Sequence, residues 1–292
     1  MKDRTLLPTV TTKDIVEGLR RLGLRAGDGV MVHSSLRSFG HVEGGARAVI
    51  DALMETVAAE GTLMMPSFNH GGAFGPGRPG YYDPRETPTS NGAIPDLFWR
   101  LPGVYRSLNP THAFAAWGRN AKEYTEFHHR TLTMGPKSPL GLLHADGGCV
   151  LLLGATYDSN SFHHVVEMTL NARCVGLRTE ACPVRLADGR TVMGRTWGWR
   201  ERGCPYTKAG KYHELMRERG QEKTIMIGNS KIIFFRLHDC FEAAAQLLRQ
   251  GFDDLVPCAQ CPIRPRKTPQ TVPSDWDEEH GCLLPDSVAW TY

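Results

Sequence analysis

Two adjacent histidines and a glutamate, His163, His164 and Glu167, stand in the stretch DSNSFHHVVEM, just after the apolar run GGCVLLLG. The spacing predicts a helix over 160–172, with Ser159 or Ser161 as its cap. At about 100° per residue, Glu167 falls on the side of His163 and near that of His164. A carboxylate against an imidazole fixes its tautomer and stabilises the protonated ring, which is what a general base needs. A surface ion pair on an ordinary helix satisfies the same spacing. A metal-dependent hydrolase is the third reading, although adjacent side chains on a helix diverge by about 100° and reach one ion poorly. Spacing alone does not choose between the two histidines.

The elements that would position them alternate along the chain. Thr11 or Thr12 caps a helix through KDIVEGLRRL, and Gly23 closes it. GVMVHSS is a short strand whose polar end exposes His33, Ser34 and Ser35, and VEGGARAVIDALMETVAAEG carries helical apolar spacing. TLMMPSF is the next strand. This order predicts an α/β fold with a central mixed, largely parallel sheet flanked by helices. Sites in such sheets gather at the carboxyl ends of strands, which puts residues 33–35 and 66–69 on one rim. Residues 69–90 are rich in Gly and Pro and form a long loop, with Asp83 and Glu86 expected to face a substrate. ACPVRLADGRTVMG reads as a hairpin turning at Asp188-Gly189. The predicted organisation is one domain over 1–256, with a smaller hairpin-and-helix lobe near 176–222, and an irregular Cys- and Pro-rich tail over 257–292.

With 292 residues, 41% of them hydrophobic, the chain can bury a large core. The net charge of +3 is small and its basic residues are scattered, so no nucleic-acid footprint is expected. No apolar run approaches the ~20 residues of a membrane span, and the first residues lack an apolar signal core. Eight cysteines without a secretion signal make a reduced, cytoplasmic protein the default.

Two further segments carry polar groups at strand ends. VHSSLRSFG offers small hydroxyls, and RSLNPTHAFAAWG offers Arg106, Ser107, Thr111 and His112 just before a strand. An arginine there suits bidentate contact with a phosphate. Taken with GTLMMPSF, DPRETPTSNGAI, SPLGLLHADGGCVLLLG and NSFHHVVE, these segments resemble, in order and interval, the aminoglycoside 3-N-acetyltransferase (antibiotic N-acetyltransferase) family over roughly residues 12–261.

The resemblance implies acyl transfer from acetyl-coenzyme A to an amine, in a fold distinct from the common small N-acetyltransferase fold. The family's Asn-Thr-x-x-His-x-x-Glu falls on Asn160, Ser161, His164 and Glu167. It thereby implies His164 as the base, Glu167 as its partner and Asn160 beside the substrate, and assigns His163 nothing. It implies coenzyme A contacts from His33, Ser34, Ser35 and Leu36, and from Arg106, Ser107, Thr111 and His112. Backbone amides around 34–36 are the candidates for stabilising an oxyanion. Asp83 matches a position facing the amine, with Glu86 and Glu201 as further acidic groups. The expected partner is a small-molecule amine, with a homodimer as the assembly to test.

The sequence also departs from the family. RTWGWRERGCPY sets Arg195, Arg200 and Arg202 around the single Glu201, and RSLNPTHAF has Asn109 and Ala113 where His and Ser are common. Polycationic antibiotics need a negative cleft. The acceptor expected from the family is the 3-amino group of an aminoglycoside, and the alternative is another amine, one carrying an anionic group matched to the arginines. Asp83, Glu86 and Asp96 would supply a smaller acidic patch. In the tail, Cys258, Cys261, His280 and Cys282 form a candidate zinc set whose second half is unusually tight. The rival reading is therefore a zinc-stabilised binding module on a coenzyme A scaffold.

Overall fold

The structure is a computed structural model that describes residues 9–170, 172, 176–177, 182–194, 197–199, 204–208 and 210–261. The chain opens with β1 (Thr9–Val10), α1 (Thr12–Leu22), β2 (Gly29–Ser34) and β3 (His41–Val42). Thr11 caps α1 through a reciprocal pair with Asp14, and Gly23 closes it in the left-handed region at φ 107°. Then follow α2 (Gly45–Val57), β4 (Thr62–Pro66), α3 (Ala93–Phe98), β5 (Tyr105–Arg106) and β6 (Phe114–Gly118). Next are α4 (Ala121–Glu126), α5 (Pro139–Ala145), β7 (Cys149–Leu153) and α6 (Phe162–Thr169). The short strands β8 (Gly176–Leu177), β9 (Cys182–Arg185), β10 (Thr191–Gly194) and β11 (Trp197–Trp199) precede α7 (Pro205–Lys208) and α8 (Lys211–Glu218). Strands β12 (Glu222–Ile227) and β13 (Ser230–Arg236) lead into α9 (Leu237–Gln250).

Seven strands form one sheet in the order β12-β13-β7-β2-β4-β6-β5. The sheet is mixed and flanked by helices, but its parallel part is narrower than the sequence suggests. Only β7–β2 and β2–β4 pair in parallel, while both flanks are antiparallel. At the β12 edge the cause is connection length. β12 and β13 are joined by a tight hairpin, which can only run antiparallel, whereas parallel neighbours need a crossover.

Alternation along the strands builds a core on each side. Val30, Val32, Leu63, Met65, Leu151 and Leu153 face α1, α2 and α3. Met31, Met64, Val150, Leu152, Ile233 and Phe235 face the layer that holds α5, α6, α8 and α9. Strands covered on both faces read as continuous apolar runs, which is why CVLLL has no polar interruption. Burial of each such side chain contributes about 1.5–3 kcal/mol. The hairpin of β9 and β10 pairs antiparallel and covers a small third cluster with Tyr82, Leu108 and Ala113.

Gly154 turns the chain out of β7 toward α6. It sits at φ +64°, and an added Cβ would lie 1.8 Å from Ser38 Oγ and 2.5 Å from Ser230 Oγ. Those hydroxyls bond each other at 2.7 Å. Gly154→Val should therefore destabilise the protein by about 1–3 kcal/mol through overpacking, on top of its backbone strain. Urea unfolding checks this, and an unchanged midpoint would mean the turn has room that this geometry denies.

Candidate active site

The carboxyl ends of the parallel strands share one rim and open onto a cleft of about 330 Å³. His33 and Ser34 come from the end of β2, and Pro66 and Phe68 from the end of β4 and just beyond it. His70 and His112, with Asn91 and Met134, form the facing side. Asp158, Ser159, Ser161, His163 and His164 arrive on the segment that leaves β7. Parallel register delivers this meeting, since His33 lies opposite Leu152 and Ser34 opposite Leu153.

Helix α6 begins in the first turn after that segment. Ser161 holds the cap position without a side-chain bond. Asn160 supplies one instead, its Oδ1 accepting from the Phe162 amide at 3.2 Å. His164 Nδ1 meets Glu167 Oε2 at 2.9 Å. A carboxylate only accepts, so Nδ1 carries the proton and the neutral ring keeps its lone pair on Nε2. The Glu167 side chain is 1% exposed and that of His164 37%. A carboxylate so buried must be held by partners, and it orients the ring in return. The His163 ring packs against His164 with 4.0 Å between centroids. It also borders a small inner cavity shared with Glu167, Tyr206 and Tyr212.

Of the other sequence candidates, His33, Ser34 and His112 line the cleft. His33 Nε2 and Ser34 Oγ are buried without a hydrogen-bond partner among the described residues, so the wall has polar atoms for a ligand to satisfy. Burial pushes His33 down to about 4, so this ring is neutral near pH 7. Ser35 and Leu36 do not line the cleft. The Ser35 amide donates to Leu153 O at 2.9 Å, which removes it as an oxyanion donor, and Leu36 packs beside the core under α1 and α2.

Arg106, Ser107 and Thr111 are corrections of another kind. Arg106 is 1% exposed. Its guanidinium donates to the carbonyls of Pro84 at 3.1 Å, Thr87 at 2.6 Å and Ser67 at 3.2 Å and lies 4.3 Å from the Trp99 ring centre. It fastens the loop over 69–90 rather than reaching a phosphate. Ser107 Oγ pairs with His128 Nδ1 at 2.8 Å and accepts from the Phe114 amide at 2.9 Å. Thr111 is buried and orients His112 through a 2.8 Å contact to its Nδ1.

Asp83, Glu86 and Asp96, expected as an acidic patch, are not among the described residues that line the cleft. Asp83 is fully buried and held by Arg85, whose Nη2 donates to Oδ2 at 2.9 Å. Arg85 continues to the carbonyls of Leu186 at 3.2 Å and Ala187 at 3.1 Å, which ties the loop to the β9–β10 hairpin. Glu86 is exposed elsewhere, and Asp96 pairs with Arg100 at 3.3 Å. Asn160 is buried, with Nδ2 3.6 Å from Cys240 Sγ, so it shapes α6 from below. Glu201 and the three arginines around it lie outside the described residues, as do His280 and Cys282. Cys258 and Cys261 are buried, and among the described residues no group of three or more His, Cys, Asp or Glu is arranged to hold a metal.

Reasoning from sequence missed His70, Asn91 and Asp158 as lining residues. Asp158 opens the very stretch that drew attention, and His70 directly follows the rim residues after β4, so position relative to strand ends was the available signal.

A seven-stranded mixed sheet with a histidine–glutamate pair at its carboxyl rim defines an α/β enzyme-like class. The model of the aminoglycoside 3-N-acetyltransferase family matches residues 31–249, and the chain belongs to that family of acyltransferases. It is 35% identical over 229 residues to the SPbeta prophage-derived aminoglycoside N(3')-acetyltransferase-like protein YokD of Bacillus subtilis, covering 72% of this chain and 79% of that protein. It is 35% identical to aminoglycoside N(3)-acetyltransferase IX of Micromonospora chalcea, covering 63% and 70% respectively. Among solved structures, a histidine-to-alanine mutant of aminoglycoside acetyltransferase AAC(3)-IVa in complex with a gentamicin aligns with a TM-score of 0.73 at 27% identity, over 85% of this chain and 91% of that one.

Buried neutral imidazoles give the fold a pH signature. Burial lowers His33 to about 4 and His128 and His213 to about 3, against about 6.5 in an unfolded chain. His128 is fixed in the neutral form, with Nε2 donating to Thr133 O at 2.9 Å. Between pH 6.5 and 4 the unfolded chain therefore holds more protons at these sites, and stability is lost as pH falls through that window. The urea midpoint should drop steadily from pH 7 to 5. A flat midpoint over that range would contradict neutral burial of these rings.

Proposed function

We propose that the protein is an acetyl-coenzyme A-dependent N-acetyltransferase in which His164 is the general base. The observation that carries the reading is the 2.9 Å pair between His164 Nδ1 and Glu167 Oε2 on a ring that borders the cleft. An amine is cationic near neutral pH and must lose a proton before its nitrogen attacks the thioester carbonyl. Nε2 of His164 takes that proton while Glu167 offsets the charge gained by the ring. The nitrogen–carbon bond forms, the carbon–sulfur bond breaks, and the proton passes on to the thiolate. Transfer is direct between the two substrates, so no protein nucleophile is needed. Cys240 and Cys149 fit this, because burial pushes Cys240 up to about 12 and Cys149 higher still, the opposite of an activated thiol.

The family's acceptor is the 3-amino group of an aminoglycoside, and family membership supports it here. A second reading, a different amine, is favoured by the cleft itself, since none of Asp83, Glu86 and Asp96 lines it.

His164→Ala should lower kcat by about 10²–10⁴-fold, the usual contribution of a placed base, while coenzyme A affinity changes little. Thiol release from acetyl-coenzyme A in the presence of an amine measures the first, and calorimetry the second. Retention of most of the rate in that variant would sink the assignment of the base.

A further inference from the structure

We propose that His70 is a second catalytic residue, whose ring N–H donates to the thioester oxygen as negative charge gathers there during attack by the amine. The inference rests on the acetyl-transfer reading above and supplies the group that reading lacks on the oxygen side.

Attack on a thioester moves an electron pair onto the carbonyl oxygen, and donors fixed beforehand at that point are usually the largest contribution to the rate. The backbone amide of Ser35, expected to serve, is spent on Leu153 O at 2.9 Å. Along the sheet the order is β7-β2-β4. His164 follows β7 and His70 follows β4, so the two reach the cleft from either side of β2. Two strand spacings are about 10 Å. A base about 3 Å from the attacking nitrogen and a donor about 3 Å from the developing oxyanion fit a gap of that size around one carbonyl.

The backbone holds His70 there under strain. Of the non-glycine residues with positive φ among the described residues, Ala58, His70 and Asp253, only His70 lines the cleft, at φ +50°. Such a conformation persists where the surroundings fix it, and it marks functional positions. The fixing is done by the segment before β6. The amides of Asn69 and His70 both donate to Thr111 O, at 3.2 and 3.1 Å, and Asn69 Nδ2 donates to Pro110 O at 2.7 Å. The ring is then set edge-on to Phe68 at 5.4 Å and to His112 at 5.2 Å between centroids.

His164 and His112 each have Nδ1 engaged, on Glu167 and Thr111, whereas no hydrogen bond occupies either ring nitrogen of His70 among the described residues. Partial burial lowers its affinity for a proton, so the ring is neutral near pH 7 and still carries one N–H to donate. It therefore does not compete with His164 for the proton of the amine. As the nitrogen bonds to the carbonyl carbon, His164 Nε2 takes that proton and the electron pair moves to the oxygen. The His70 N–H holds the oxyanion and keeps its own proton. The pair then returns to the carbon, the carbon–sulfur bond breaks, and the proton on His164 passes to the thiolate.

The test is steady-state thiol release from acetyl-coenzyme A on the full chain, with gentamicin and with benzylamine, so that both acceptor readings are covered. His70→Gly, which suits the left-handed backbone, should lower kcat and kcat/KM alike by about 10²–10³-fold, the loss of one oxyanion donor. Coenzyme A affinity by calorimetry should stay within a few-fold. Added imidazole, which brings an N–H, should restore kcat of the variant at least ~10-fold. 1-Methylimidazole, similar in shape and basicity but without that N–H, should not. A variant rate within a few-fold of the unaltered chain overturns the assignment of His70. So does recovery with both compounds or with neither. An unaltered chain that releases no thiol with either acceptor overturns the acetyl-transfer reading itself, and the part given to His70 falls with it.

Discussion

The parallel alignment of β2 with β7 is the constraint on which the rest of the molecule hangs. Register places His33 beside Leu152 and Ser34 beside Leu153, so both strands run out at the same edge. The segment that follows β7 then rises next to the polar end of β2, and the His164–Glu167 pair comes with it. An antiparallel pairing would have sent the two segments to opposite ends of the sheet. Parallel neighbours require a crossover, and crossovers lay helices on both faces. The two hydrophobic layers are thus a consequence of the same choice that assembles the cleft.

A second tier of organisation is electrostatic and sits away from the cleft. Arg106 lies beneath the loop over 69–90 and holds it by the carbonyls of Pro84 and Thr87, with a third bond to Ser67 beside the end of β4 and Trp99 across its face. Buried guanidinium groups are costly unless their donors are satisfied, so this arrangement is stable only with the loop in place. Asp83 and Arg85 then join the same loop to the β9–β10 hairpin. The side chains that look most reactive in the sequence are, in these two cases, fasteners. Ser107 belongs with them, because its hydroxyl fixes His128 and the start of β6 together.

Local chemistry made much of the fold legible. The Thr11–Asp14 box and Gly23 bound α1 where the sequence put them, and CVLLL announced a strand buried on both faces. The histidine–glutamate pairing followed from helical spacing together with the family pattern, which preferred His164 to its neighbour. What was not legible depends on contacts distant in the chain. Nothing near Arg106 says that its partners are carbonyls of residues 67, 84 and 87. Nothing in GATYDS shows that Asp158 borders the same space as His70, because the two meet only through strand order. The antiparallel pairings of β13 with β7 and of β6 with β4 escaped for a related reason, since strand direction after a long excursion is decided by the returning chain and not by composition.

Arg85 grips the hairpin through the main-chain oxygens of Leu186 and Ala187. Every residue type carries that oxygen, so the attachment is indifferent to which side chains occupy those two positions. The exposed positions of the hairpin are therefore free to drift over generations without loosening this attachment, whereas Val184 and Leu186 are held by the small third cluster. Variation at those exposed positions would accumulate at little cost to folding, and a lineage could explore new surfaces beside an unchanged acyl-transfer scaffold. The fastener itself has no such freedom. A neutral residue at position 85 would strand the buried Asp83 charge, so change should concentrate on the hairpin and spare the arginine.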